Sequence, residues 1–310
     1  MFYISSRGHS ATGWLAKQIS KHNKVVCWHG TRSIPPTDPG INDLSPKDFV
    51  KGLKILERQR DERIYGAVHG FHGVKIKKEI EEEGGKFAGI FRDPVSKISS
   101  FFYAYLWSTL SKGNLPEDYV GPTEKLFSKN LEDSMIQEFE TLKKTHNKKN
   151  QNIIKTVFNL INIKIKRNKK NLYNIKNLNF KKIENVILSQ DNSKILSELF
   201  FNICRQTFLY DAEIFHNCKP EQLIIMEKMV SEKNYFMNNV WNYLIPELKD
   251  KAETESFEQK AKNHNPNINL NSRQKFDQFP ESFKKLFTWF FLKQDEDLIK
   301  FYKKNNYFIP

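Results

Sequence analysis

Phe2-Tyr3-Ile4-Ser5-Ser6-Arg7-Gly8-His9-Ser10-Ala11-Thr12-Gly13-Trp14-Leu15 reads as an apolar strand, a turn rich in Gly, Ser and Thr, and the start of a helix. A strand-to-helix turn exposes backbone N–H groups at the positive end of the helix dipole, which favours a bound anion. A second junction of this kind lies further on. Phe87-Ala88-Gly89-Ile90-Phe91 is a strand, Arg92-Asp93-Pro94 ends it, and a helix carrying Ser96, Ser99 and Ser100 follows. Asp at an N-cap and Pro in the first turn are good helix-start chemistry. Two such junctions suit a ligand with phosphates at both ends.

Around these junctions the pattern alternates. Strands are predicted at 2–6, 24–29, 64–69 and 86–91, and helices at 13–22, 46–60, 73–83 and 94–111. Strands separated by helices predict an α/β fold, a three-layer parallel sheet flanked by helices. In such sheets ligands bind beyond the carboxyl ends of the strands, where both junctions, His29 and His69 fall. Further along, a helix is expected near 191–212, a strand at 222–227, and helices near 229–244 and 280–304. The segment 262–267 is polar and loop-like. No internal repeat is present. The whole chain reads as one domain, 1–310, with an insertion at about 112–185.

The formal net charge is +14. Between Lys143 and Lys182 there are thirteen Lys or Arg and no Asp or Glu, so the excess is concentrated in the insertion. Heavy use of Lys, Asn, Ile and Phe throughout, and the value of a positive field to an enzyme with polyanionic ligands, account for the charge. No nucleic-acid module accompanies it, and no nucleic-acid partner is expected. No apolar run reaches the roughly 20 residues needed to span a bilayer, and no secretory signal precedes the first strand. The three cysteines, Cys27, Cys204 and Cys218, are widely spaced and fit no metal-ligand pattern. They read as reduced thiols of a cytoplasmic protein, with no metal required.

The first turn lacks the G-x-x-x-x-G-K-[ST] sequence of a nucleotide-triphosphate P-loop, which weakens an ATP-dependent reading. Ser10, Thr12 and the loop N–H groups remain able to cradle a phosphate, with Arg7 and His9 as nearby cations. On a helical wheel after Pro94, Val95, Ile98, Phe102 and Leu106 form the buried stripe. Ser96 and Ser100 share a neighbouring flank, which makes Ser100 the candidate ligand hydroxyl beside Arg92.

The pair of junctions resembles the sulfotransferases that use 3′-phosphoadenosine 5′-phosphosulfate (PAPS). In that family a strand leads into a [KR]-S-G-T-T-x-L loop that binds the 5′-phosphosulfate, and His9-Ser10-Ala11-Thr12-Gly13-Trp14-Leu15 is similar to it. A later strand ends in R-[DN]-P with a Ser eight residues after the Arg, the spacing of Arg92 and Ser100, and binds the 3′-phosphate. Trp14 matches the family's adenine-packing Trp. The segment 223–230 and the end of the last helix, Asn306-Tyr307-Phe308, are also similar to family elements. The resemblance covers about 1–15 and 86–105, is weaker over 220–310, and is absent over 112–185.

It implies a P-loop NTPase-like sulfotransferase fold with a basic helical insertion, and PAPS as donor. The donor would be held by Arg7, Gly8, His9, Ser10, Ala11, Thr12, Gly13, Trp14, Arg92 and Ser100. His69 would be the base that deprotonates an acceptor hydroxyl or amine, with His72 in reserve. Apart from the resemblance, His29 is a third candidate, for acceptor contact, and His264 lies in the polar 262–267 loop without an assigned role. The acceptor would be a small molecule or a saccharide. Three departures stand out: His9 replaces the family's Lys or Arg, Ala11 its Gly, and Gly13 its second Thr, which removes one hydroxyl. Protonated His9, or Arg7, would supply the missing charge. The alternatives are an ATP-dependent P-loop phosphotransferase and a non-catalytic nucleotide-binding relative.

Overall fold

The structure, a computed structural model, describes residues 1–7, 10–29, 45–59, 63–68, 73–112, 192–249, 271–277 and 279–310. The chain divides into two compact units. One comprises Met1–Arg92 and Tyr210–Ala261, the other Asp93–Leu209 and Lys262–Pro310. The basic stretch beyond Lys112 and the 262–267 segment lie outside the described residues.

The first unit is an α/β body around five parallel strands: β1 (Phe2–Ser5), β2 (Val25–His29), β3 (Ile64–Val68), β4 (Lys86–Phe91) and β5 (Leu223–Ile225). Their order across the sheet is β2-β3-β1-β4-β5, and every pairing is parallel. Three helices connect the first four strands: α1 (Thr12–Ile19), α2 (Pro46–Gln59) and α3 (Lys75–Glu82). From β1 the chain moves outward to β2, and from β4 it moves the other way to β5. The connections therefore diverge between the adjacent strands β1 and β4, which makes that gap the topological switch point.

Both faces of the sheet are covered, as the period-2 alternation of a strand requires. Phe2 and Ile4 of β1 join Leu15, Ala16 and Ile19 of α1 in one core, together with Val25, Cys27, Val68, Ala88, Ile90 and Ile224. The intervening Tyr3 faces the other way. Its ring stacks on Phe87 and meets Phe49 of α2 edge-on, with centroids 6.2 and 5.8 Å apart. Gly89 admits this second layer closely: a Cβ there would sit 2.4 Å from Cγ2 of Ile214.

β5 is shorter than the expected 222–227, because Met226 already begins α6 (Met226–Ser231). The helix expected near 229–244 is instead a series: α7 (Lys233–Tyr235), a π-helical stretch Phe236–Trp241, and α8 (Asn242–Leu244). Phe236, Val240, Trp241 and Leu244 from this series cover the β1–α1 core.

The second unit is helical and rich in phenylalanine. It holds α4 (Pro94–Lys112), most of α5 (Asn192–Asn217), α9 (Ser272–Asp277), α10 (Glu281–Leu292) and α11 (Glu296–Lys304). Phe283, Phe287, Phe290 and Phe291 give α10 a stripe at helical spacing. Phe283 stacks on Phe200 of α5 at 4.0 Å between centroids, and both meet Phe102 of α4 edge-on. The single helix expected over 280–304 is two. Asp295 breaks it by accepting from the N–H groups of Asp297 and Leu298, at 3.0 and 2.9 Å, as N-cap of α11. Among the described residues no helix is long and apolar enough to cross a membrane.

Candidate functional site

The first junction begins where β1 ends at Ser5. Ser5 and Ser6 are buried, Arg7 is half-buried, and Ser10 is fully buried. Ala11 turns the chain into α1 with φ 58° and ψ 24°, the left-handed region that disfavours residues with a Cβ. Ala11 therefore bears backbone strain at the start of α1. Ala11 is the N-cap of α1 and supplies no side-chain cap. Its carbonyl accepts from the N–H of Leu15 at 2.9 Å, which starts the helix.

The Thr12 side chain is buried, and its Oγ1 lies 3.0 Å from Nε2 of His29. His29 ends β2 and is exposed. Two bonds between Ser20 Oγ and the Cys27 backbone, at 3.0 and 3.1 Å, clamp the far end of α1 to the same strand. This clamp and the antiparallel run of α1 over β2 bring His29 back to the start of the helix. A Cβ on Gly13 would stand 3.9–4.0 Å from Cε1, Nε2 and Cδ2 of His29. An alanine would fit there, but a longer side chain would compete with the imidazole for space. Trp14 is half-buried, with its ring edge-on to Phe236 at 5.9 Å.

On the other face, Ser5 Oγ and the Tyr210 hydroxyl share a 2.5 Å hydrogen bond. Burial pushes the Tyr210 phenol well above its ordinary range, and the bond to Ser5 only partly opposes this. The hydroxyl therefore stays protonated, and α5 is fastened to the tip of β1. Arg92 directly follows β4 and is half-buried. The residue interacts with other groups, and its Nε is buried without a hydrogen bond.

The second junction continues into the helical unit, where Asp93 is nearly fully buried. Its Oδ1 accepts from the Ser96 N–H at 2.8 Å, capping α4, and its Oδ2 accepts from the Phe308 N–H at 2.8 Å. After α11 the chain turns through Asn306, at φ 57°, and the Tyr307 N–H bonds to the Tyr302 carbonyl at 3.0 Å, which directs the tail to Asp93. The serines of α4 are also employed. Ser99 and Ser100 donate to the carbonyls of Val95 and Ser96 at 2.7 and 2.9 Å, and Ser96 Oγ lies 3.1 Å from both Ser272 Oγ and Lys275 Nζ.

Within the sheet-bearing unit, Arg7, Ser10, Ala11, Thr12, Gly13 and Trp14 span the turn into α1, and Arg92 directly follows the neighbouring strand β4. His29, read from sequence as an acceptor contact, lies 3.0 Å from the Thr12 hydroxyl. Ser100 lies on α4 in the other unit. Gly8, His9, His69, His72 and His264 lie outside the described residues. Sequence reasoning missed three partners: His29 for Thr12, Tyr210 for Ser5, and Phe308 for Asp93. The residues of the last two pairs stand about two hundred positions apart, and no spacing signal connects them. Among the described residues no group of three or more His, Cys, Asp or Glu is placed to hold a metal ion. No family model, no curated protein and no solved structure matches this chain.

Proposed function

We propose that this chain is a sulfotransferase that takes a sulfuryl group from PAPS. The observation that carries this reading is the switch point between β1 and β4. Ser5 pairs with Gly89 in parallel register, so the Ser/Thr-bearing turn and Arg92 leave the same edge of the sheet from neighbouring strands. The 5′-phosphosulfate would rest on the 7–14 turn, against the N–H groups at the start of α1 and the Thr12 hydroxyl, and the 3′-phosphate on Arg92. The motif resemblance supplies the nucleotide, and Ala11 takes a left-handed backbone at the position where the resembled loop carries Gly.

In the reaction an acceptor oxygen or nitrogen attacks sulfur in line, and the bond from sulfur to the 5′-phosphate oxygen breaks. The acceptor proton passes to the base, which the resemblance assigns to His69. Charge developing on the departing phosphate oxygen is met by the loop N–H groups with Arg7 or His9. The products are a sulfated acceptor and adenosine 3′,5′-bisphosphate.

A thermal-shift comparison tests the assignment. Adenosine 3′,5′-bisphosphate at one hundred times its dissociation constant should add about 2.7 kcal/mol of stability, and ATP should add little. The reverse pattern would point to an ATP-dependent phosphotransferase. Bisphosphate binding without sulfate transfer from labelled PAPS to any of a broad acceptor panel would leave a nucleotide-binding protein that is not an enzyme.

A further inference from the structure

We propose that His29 is a positioning residue of the donor loop: it fixes the Thr12 hydroxyl toward the 5′-phosphate and fills the space left beside Gly13. This rests on the sulfotransferase reading of that loop. Thr12 Oγ1 carries one hydrogen and two lone pairs. A phosphate oxygen only accepts, so the hydroxyl can serve it only by donating its hydrogen. The oxygen must then accept from its other neighbour, and Nε2 of His29 stands 3.0 Å away. With the proton on Nε2, the imidazole donates to Thr12 and Thr12 donates to the ligand. With the proton on Nδ1 alone, Nε2 accepts, and the Thr12 hydrogen is spent on the ring. Binding of the 5′-phosphate therefore selects the Nε2–H form.

Gly13 leaves the imidazole uncrowded. All three ring atoms on that edge of His29 lie 3.9–4.0 Å from the position of a Cβ on Gly13, an ordinary contact, so a longer side chain there would meet the ring. The imidazole thus stands where a hydroxyl-bearing side chain at position 13 would reach. One polar group of the loop comes from β2 instead of from α1. The Ser20–Cys27 clamp holds β2 and α1 in the register this requires.

Calorimetry with two probes, adenosine 3′,5′-bisphosphate and adenosine 3′-monophosphate, tests the role. His29 is exposed, and its truncation is expected to leave the fold intact. His29→Ala should weaken the bisphosphate roughly tenfold, the scale of a hydrogen bond to a charged group, and leave the 3′-monophosphate within about twofold. His29→Gln, whose amide N–H can donate as Nε2–H does, should restore most of the bisphosphate affinity. Thr12→Ala added to His29→Ala should cost little more. Wild-type binding of the bisphosphate with no change in His29→Ala, or with equal losses for both probes, would overturn the role of His29 alone. Failure of the wild-type protein to bind the bisphosphate would overturn the donor reading and this role with it.

Discussion

The turns after β1 and after β4 share a plan in sequence, with an apolar strand, a short polar turn and a helix start, yet they are finished differently. The second is closed by its own chain. Asp93 caps α4 with one carboxylate oxygen and holds the C-terminal segment with the other, and Ser96, Ser99 and Ser100 are bonded within the protein. The first is left open at its helix start. Ala11 has no side chain with which to cap α1, and it bears a left-handed backbone that costs a residue with a Cβ roughly 1–2 kcal/mol. A closed helix start stabilises a fold. A start without a side-chain cap suits an anion near its N–H groups. Under the proposed function, the first junction would supply its helix terminus to the ligand, and the second would supply Arg92.

The largest expected effect falls on that arginine. Arg92→Ala should weaken adenosine 3′,5′-bisphosphate by about 2–5 kcal/mol, the range for a charge pair that loses one partner in a desolvated site. Unchanged affinity in calorimetry would remove the second junction from binding altogether. Next comes the cap. Asp93→Ala removes an N-cap and a second hydrogen bond to a carboxylate, and should lower the stability of the helical unit by about 2–3 kcal/mol. Denaturant melting followed by the near-ultraviolet signal of its aromatic core reads this out. Asp93→Asn keeps one acceptor oxygen and should lose about half as much. A loss under roughly 0.5 kcal/mol, the low end for a cap, would break the contrast between a closed and an open junction.

Much of the sheet was legible because its strands are short apolar runs with polar ends. β1, β3 and β4 fall within a residue of where Phe2-Tyr3-Ile4, Ile64-Tyr65 and Phe87-Ala88-Gly89-Ile90 place them. The wheel drawn from Pro94 also placed Val95, Ile98 and Phe102 in the core, where they are. Strand order was not legible, since pairing joins residues far apart in the chain and no local pattern encodes it. The same holds for partners. Spacing put Ser100 beside Arg92 but could not show that its hydroxyl donates to Ser96, a bond that helical serines make locally. Nor could it bring His29 to Thr12, which depends on β3 lying between β1 and β2. The break in the last helix did carry a signal. Asp295-Glu296-Asp297 is a cap followed by an acidic first turn, and in such a run the start signal overrides an apolar period that continues on both sides.

Ala11→Gly probes the open junction with a smaller change. Glycine adopts φ 58° without a Cβ penalty, and as an N-cap it is outside the helix interior where glycine is costly. The variant should gain about 0.5–1 kcal/mol of stability with bisphosphate affinity unchanged, measured by melting and calorimetry together. A loss of stability would mean that the strain is relieved by contacts of the Ala11 methyl group.

The smallest effect expected is the near absence of thiol labelling, and it reports whether the ground under each junction is firm. Cys27 lies on β2 at the Ser20 clamp, and Cys204 lies in α5 of the helical unit; burial pushes both thiols far up. Burial also raises Cys218, to about 12, with Lys77 opposing and Glu81 and Glu213 adding to the shift. A thiol whose pKa is raised on folding stabilises the native state fully below the unfolded value, about 8.5. That stability is lost as pH climbs through the folded pKa, because the native state then holds a proton the unfolded chain has released. At pH 8 all three cysteines should resist a thiolate-selective reagent in the native protein and react at once in denaturant. As pH rises above 9, Cys218 should react first. If Cys27 instead reacts at pH 8 while Cys204 stays protected, α1 lifts from β2 in the native state, and the open junction owes its shape to a ligand and not to the clamp.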